Sequence, residues 1–181
     1  MFFELQNILD YYSYLNFIHN KFGKFSQGTF GASFEYRDFN IGGFVFSPPS
    51  SSLNTAFYIT EELNVSKKFS IELAGRYEYN YIKPKQQIQL ANLDSVYSRK
   101  FNTLSAAVTS VYSVLKNLNA GLGLSFSSRV PTIEELFSDG PHLAAYSYEI
   151  GNPGLKEETA YGSELFIYYK NFSVYMMLTS F

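Results

Sequence analysis

The sequence predicts an all-β fold: an antiparallel up-and-down transmembrane β-barrel segment, about eight strands of a larger barrel. Three observations predict it. Side chains alternate between apolar and polar over runs of about ten residues, the length of a tilted membrane-crossing strand. Tight connections alternate with long ones along the chain, and aromatic residues gather near the strand ends.

The elements follow in chain order. A strand-like stretch between Phe3 and Phe17 comes first. Next are 28–37, with Phe30, Ala32, Phe34 and Tyr36 on one face, and 39–46, separated by a tight turn at Asp38. A Pro/Ser loop from Ser47 to Ser52 leads to 54–65 and a turn at Ser66-Lys67. The clearest strand, 69–80, places Phe69, Ile71, Leu73, Gly75, Tyr77 and Tyr79 opposite Ser70, Glu72, Ala74, Arg76 and Glu78. After a polar loop from about Tyr81 to Lys100, Leu104, Ala106, Val108, Tyr112 and Val114 alternate with Thr103, Ser105, Ala107, Thr109 and Ser113. Lys116-Asn117 turns the chain into 118–127, where Leu118, Ala120, Leu122, Leu124 and Phe126 face away from Asn119, Gly121, Gly123 and Ser125. A long segment, 128–157, precedes 158–169, a turn at Lys170-Asn171, and 171–181. The girdle aromatics expected near strand ends include Phe39, Phe46, Phe69, Tyr77, Tyr79, Tyr81, Phe101, Phe126 and Phe172.

Composition agrees and narrows the function. The 181 residues suit one domain, and 18 Phe and 16 Tyr favour a pleated surface. No apolar run is long enough for a transmembrane helix. A formal net charge of −2 gives no basic footprint, so no nucleic-acid partner is expected. Cysteine is absent, which removes disulfides and thiolate metal sites. Met1-Phe2-Phe3-Glu4-Leu5 has no basic stretch followed by an apolar one, so no signal peptide is legible. An exported barrel would need one supplied upstream.

The small residues on the polar faces argue for a wide barrel. Ser105, Ala107 and Thr109, beside Gly121, Gly123 and Ser125, would leave voids in a narrow one. Lipid offers no partner for an unpaired backbone group, so the remaining strands must come from elsewhere. Two alternatives stay open: a complete small eight-stranded barrel of structural or porin-like role, and a soluble β-sandwich binding module.

The most specific stretch is 128–159. Pro131 ends a strand because it lacks the ladder donor, and Thr132 can cap a helix opened by Ile133-Glu134-Glu135, whose acidic first turn suits the helix dipole. Asn152-Pro153-Gly154 is turn chemistry that returns the chain to strand. With Arg129-Val130-Pro131-Thr132, the acidic helix and Gly151 through Thr159, this segment resembles the loop between two late barrel strands of TonB-dependent receptors. That family shows an Arg-Ala-Pro-Thr-like turn, a short acidic helix and then Gly-Asn-Pro-x-Leu-Lys-x-Glu-Thr; Val130 replaces the commoner Ala. The resemblance is sharp over about thirty residues and diffuse over 55–80 and 101–127.

The resemblance implies that residues 1–181 are part of a receptor barrel domain in the cell outer membrane. Its partners would be outer-membrane lipid, a plug domain and further strands outside this chain, and TonB acting through the plug. Its ligand would be a small molecule or metal chelate: siderophore-bound iron, a corrinoid, or a metal such as zinc. The Arg-Val-Pro-Thr turn and helix would lie at the lumen rim. Candidate ligand-binding residues in this loop are Arg129, Asp139, His142, Tyr146, Tyr148 and Glu149, which offer charge, ligation and stacking. Ser138-Asp139-Gly140-Pro141-His142-Leu143 is similar to a loop of receptors linked to zinc and ferric-chelate uptake, and His142 is the candidate metal ligand. No cofactor is expected. Neither His19 nor His142 sits in a Gly-x-Ser-x-Gly or other catalytic motif, so no enzyme activity is expected.

Overall fold

A computed structural model describes residues 5–42, 47–85, 96–142, 146–169 and 174–180. Its strands are β1 (Leu5–His19), β2 (Phe25–Gly42), β3 (Ser50–Asn64), β4 (Phe69–Pro84), β5 (Arg99–Leu115), β6 (Leu118–Arg129), β7 (Asp139–His142), β8 (Ser147–Ile150), β9 (Glu158–Tyr169) and β10 (Val174–Ser180). One helix, α1 (Ile133–Phe137), lies between β6 and β7. Eight strands form one antiparallel meander in the order β1-β2-β3-β4-β5-β6-β9-β10, and β7 pairs only with β8. β1 and β10 are the edges of that sheet and do not pair with each other, which departs from the small closed barrel. Among the described residues the second sheet is only the two-stranded β7–β8 pair, which also departs from a sandwich.

The register fixes two faces. Leu73 lies opposite Val108, which lies opposite Leu124, while Glu78 lies opposite Thr103 and Ala56. One face thus carries Phe57, Leu73, Tyr77, Leu104, Leu122 and Leu165, all exposed. Large apolar groups left uncovered in this number form a surface suited to hydrocarbon.

The other face is polar and cross-linked. The Tyr58 hydroxyl donates to Asn16 Oδ1 across β2. The Arg76 guanidinium sits 5.6 Å from the Tyr58 ring centroid and donates to Glu78 at 2.6 Å. Asn54 Nδ2 donates to Asn80 Oδ1 at 2.7 Å, and Arg37 grips Asp10 through two hydrogen bonds of 2.9 and 3.2 Å. The small residues of β6 have a local consequence: the Phe166 ring lies over Gly121, where a Cβ would collide with it.

Several sequence expectations need correction. No turn occurs at Asp38, because β2 runs unbroken to Gly42. Asp38 instead points to the apolar side near the end of the strand, where its carboxylate accepts from Lys85 Nζ and Asn40 Nδ2. The first tight turn is at 20–24, where Gly23 takes φ 58°, a left-handed conformation glycine adopts without strain. Moving the turn keeps the alternation of short and long connections intact. Strands β3, β4 and β5 extend farther than expected, so the flanking loops are shorter. Phe39 and Phe101 lie on the polar face rather than in an outer girdle; Phe46 and Phe172 lie outside the described residues.

These faces predict unequal tolerance of charge. In the membrane-inserted protein, Leu73→Arg should lower insertion, with a cost of about 2–4 kcal/mol near the bilayer midplane, whereas Glu72→Arg should be tolerated. The heat-modifiable band on semi-native gels reads the folded fraction. Equal loss for both substitutions would overturn the assignment of faces.

Candidate functional site

At the end of the sheet that bears the long connections, the segment after β6 folds back over the polar face. Pro131 has no N–H with which to continue the ladder, and the chain leaves the sheet there. Thr132 then closes a capping box: its hydroxyl accepts from the Glu135 N–H at 3.2 Å, while Glu135 accepts from the Thr132 N–H at 2.7 Å. This brief helix presents Leu136 and Phe137, both 0% exposed, to Ile82 and Phe101 on the sheet. Val96, Val130, Ile133 and Leu155 close around them. The buried apolar cluster of the described residues is therefore at the rim, on the polar face, and it holds the loop down.

The return path is equally constrained. The Gly151 N–H donates to the Ser138 carbonyl at 2.7 Å and the Asn152 N–H to the Glu135 carbonyl at 2.8 Å. A Cβ on Gly151 would stand 2.6 Å from Phe137 N and 2.7 Å from Leu136 C, so only glycine lets the two backbones approach this closely. Asn152 Oδ1 accepts from the Gly154 N–H at 2.9 Å, an Asx turn. Two residues missed by the sequence reading latch this return: Arg99 donates to the Leu155 carbonyl at 2.7 Å, and the Tyr97 hydroxyl to the Pro153 carbonyl at 3.2 Å. The Arg99 guanidinium also stands 4.8 Å from the Phe101 ring centroid. Partners more than fifty positions apart leave no local signal.

The six candidate residues fall into two groups. Arg129 is held by two carboxylates, donating to Glu135 at 2.9 and 3.0 Å and to Glu158 at 2.7 and 3.1 Å. The Arg129 guanidinium, with help from the Thr132 N–H, holds the Glu135 carboxyl below its usual range. The other five lie on a hairpin, β7–β8, within what sequence reading took for a loop. There Asp139 accepts from the Tyr148 hydroxyl at 3.0 Å, and His142 Nδ1 meets Glu149 Oε1 at 2.7 Å. Tyr146, at φ 50°, is 98% exposed. Pro141, His142, Tyr146, Ser147 and Tyr148 line a shallow recess. Among the described residues no group of three or more His, Cys, Asp or Glu side chains converges as a metal cage would.

A second cavity, of about 460 Å³, lies between the polar face and the Val130–Glu134 turn. Ile8, Arg37, Phe39, Asn54, Asn80 and Val130 are among its walls, and Asn80 Nδ2 is buried without a hydrogen-bond partner among the described residues. These residues come from four strands and one turn, so sequence order gave no sign of them.

Two outcomes follow. Gly151→Ala should cost the rim about 1–3 kcal/mol through overpacking, read as faster hydrogen exchange at the Leu136 and Asn152 amides with the strands unchanged. The Glu135 carboxyl is depressed in the folded state, so its clamp is present above the ordinary carboxylate range and lost as pH falls through the folded value. Rim protection, taken relative to the unstructured chain at the same pH, should therefore fall on acidification, and Glu135→Gln should flatten that dependence.

No curated protein matches the chain closely enough to mark a relative. A family profile described as TonB dependent receptor-like, beta-barrel matches residues 2–181. That span includes every strand and the rim segment, and the chain belongs to this family of TonB-dependent receptor β-barrels.

Proposed function

We propose that this chain forms wall and rim of an outer-membrane receptor that imports a scarce ligand, and that the β7–β8 hairpin contributes to holding that ligand. Membership of a receptor family supports the transport role and the outer-membrane setting. The observation that carries the ligand reading is the hairpin: a fully exposed Tyr146 beside Tyr148 and the His142–Glu149 pair, on a rim segment pinned by a buried cluster. Rigid support with an exposed aromatic tip is what a binding loop requires, because ordering costs are then met in advance.

A chelated cargo, such as siderophore-bound iron or a corrinoid, fits this arrangement better than a bare metal. Stacking on Tyr146 and Tyr148 suits a large, partly planar ligand, whereas His142 and Glu149 offer only two donors toward a free ion. Zinc is the second reading, favoured by the imidazole–carboxylate geometry. Arg129 acts in either case by fixing the rim, since its fork is committed to Glu135 and Glu158. TonB and a plug supply the energy and the gate in this family, and they would act on the ligand from segments other than those described.

Binding titrations on the full-length receptor separate the readings. With a chelated cargo, Tyr146→Ala or Tyr148→Ala should weaken binding by about 2 kcal/mol, near thirtyfold, and His142→Ala should change little. Selective loss of zinc binding in His142→Ala would favour the metal. Unchanged affinity in all three variants for every ligand the parent binds would remove the hairpin from the site.

A further inference from the structure

The connections at the two ends of the meander differ in charge. The three short turns within the described residues hold Lys21 and Lys24, Lys67 and Lys68, and Lys116, with no acidic residue among 20–24, 65–68 and 116–117. The opposite end mixes the signs, with Asp38, Glu134, Glu135, Asp139, Glu149, Glu157 and Glu158 against Lys83, Lys85, Arg99, Lys100, Arg129 and Lys156. A meander puts every short turn at one end, so the five lysines share a rim although the sequence spreads them over about a hundred positions. All five are exposed, and among the described residues none forms an ion pair.

Solvation alone would explain lysines in turns, but these turns are not uniformly polar. Each joins its lysines to an exposed apolar side chain: Phe22 between Lys21 and Lys24, Val65 before Lys67, and Leu115 before Lys116. Phe22 stacks on Phe25 at 4.9 Å, and Phe69 lies opposite Tyr112 where β4 and β5 approach the same end. A turn with an apolar anchor and a neighbouring ammonium suits the membrane interface, where the anchor enters the acyl region and the amine reaches the phosphate plane. The nearby carboxylates do not neutralise the rim. Glu62 and Glu72 face each other on the polar side, and Glu61 is taken by His19 at 3.0 Å.

We infer that the short-turn rim is a lysine collar that binds anionic phospholipid headgroups of the adjoining leaflet in preference to zwitterionic ones. The inference rests on the chain spanning a membrane and is independent of the receptor's ligand. Each lysine at an anionic surface contributes about fivefold to lipid partition, and salt screens the effect within about 10 Å at 0.1 M.

The test uses the full-length receptor in neutral detergent, mixed with equal amounts of phosphatidylglycerol and phosphatidylethanolamine, with bound lipids counted by native mass spectrometry. The parent should retain phosphatidylglycerol at least fivefold over phosphatidylethanolamine and lose that preference in 0.5 M salt. Lys21→Gln, Lys24→Gln, Lys67→Gln, Lys68→Gln and Lys116→Gln combined should abolish it, whereas Lys83→Gln, Lys85→Gln and Lys100→Gln at the other rim should not. No preference in the parent, or equal loss in both variants, would overturn the collar. Should the fivefold variant fail to fold, amine labelling of the parent decides. The five lysines should be protected severalfold in phosphatidylglycerol nanodiscs relative to phosphatidylcholine ones, and equal labelling after incorporation would sink the inference. Failure to incorporate into either nanodisc would instead remove the membrane reading on which it rests.

Discussion

Hydrocarbon cannot hydrogen-bond a peptide group, and that constraint organises the rest of this structure. With one face given to lipid, each strand's N–H and C=O groups must be met by neighbouring strands. The continuous antiparallel ladder from β1 to β10 does this within the described residues. It also inverts the usual distribution of side chains. Leu73, Leu104 and Leu122 stay uncovered, while the charged residues Arg76 and Glu78 face inward.

The consequence for packing is that the sheet itself has almost no core. Leu136, Phe137, Ile82 and Phe101 make one where α1 folds back on the polar face. This small cluster gives the rim its fixed shape, and the capping box, the Arg129 clamp and the Arg99 latch add polar closure around it. The hairpin bearing Tyr146 can therefore project without the segment beneath it collapsing.

Arginine and lysine divide the molecule between them. All four arginines, Arg37, Arg76, Arg99 and Arg129, lie on the polar face and engage carboxylates, carbonyls or rings. Their planar forks reach partners on adjacent segments, which suits a lined wall. Lysines concentrate in the turns and at the long-connection end, where a compact, well-hydrated charge can meet water or phosphate. The two cations thus mark different surfaces of one sheet, a distinction that net charge conceals.

The sequence by itself determined the fold class, the two faces and most strands, because a period of two is written in consecutive residues such as 69–80 and 103–114. It also determined the rim helix and the Asn152 turn, whose chemistry is local: Thr132 with Glu135, and Asn152 with Gly154. Tertiary structure alone decided what depends on partners distant in the chain. Asp38 resembled a turn residue until Lys85 was placed beside it. Phe101 resembled a girdle aromatic until α1 covered it, and only the register brought Glu158 on β9 across to Arg129. Register links these residues over tens of positions, and no local pattern encodes which side chain on the next strand will stand opposite.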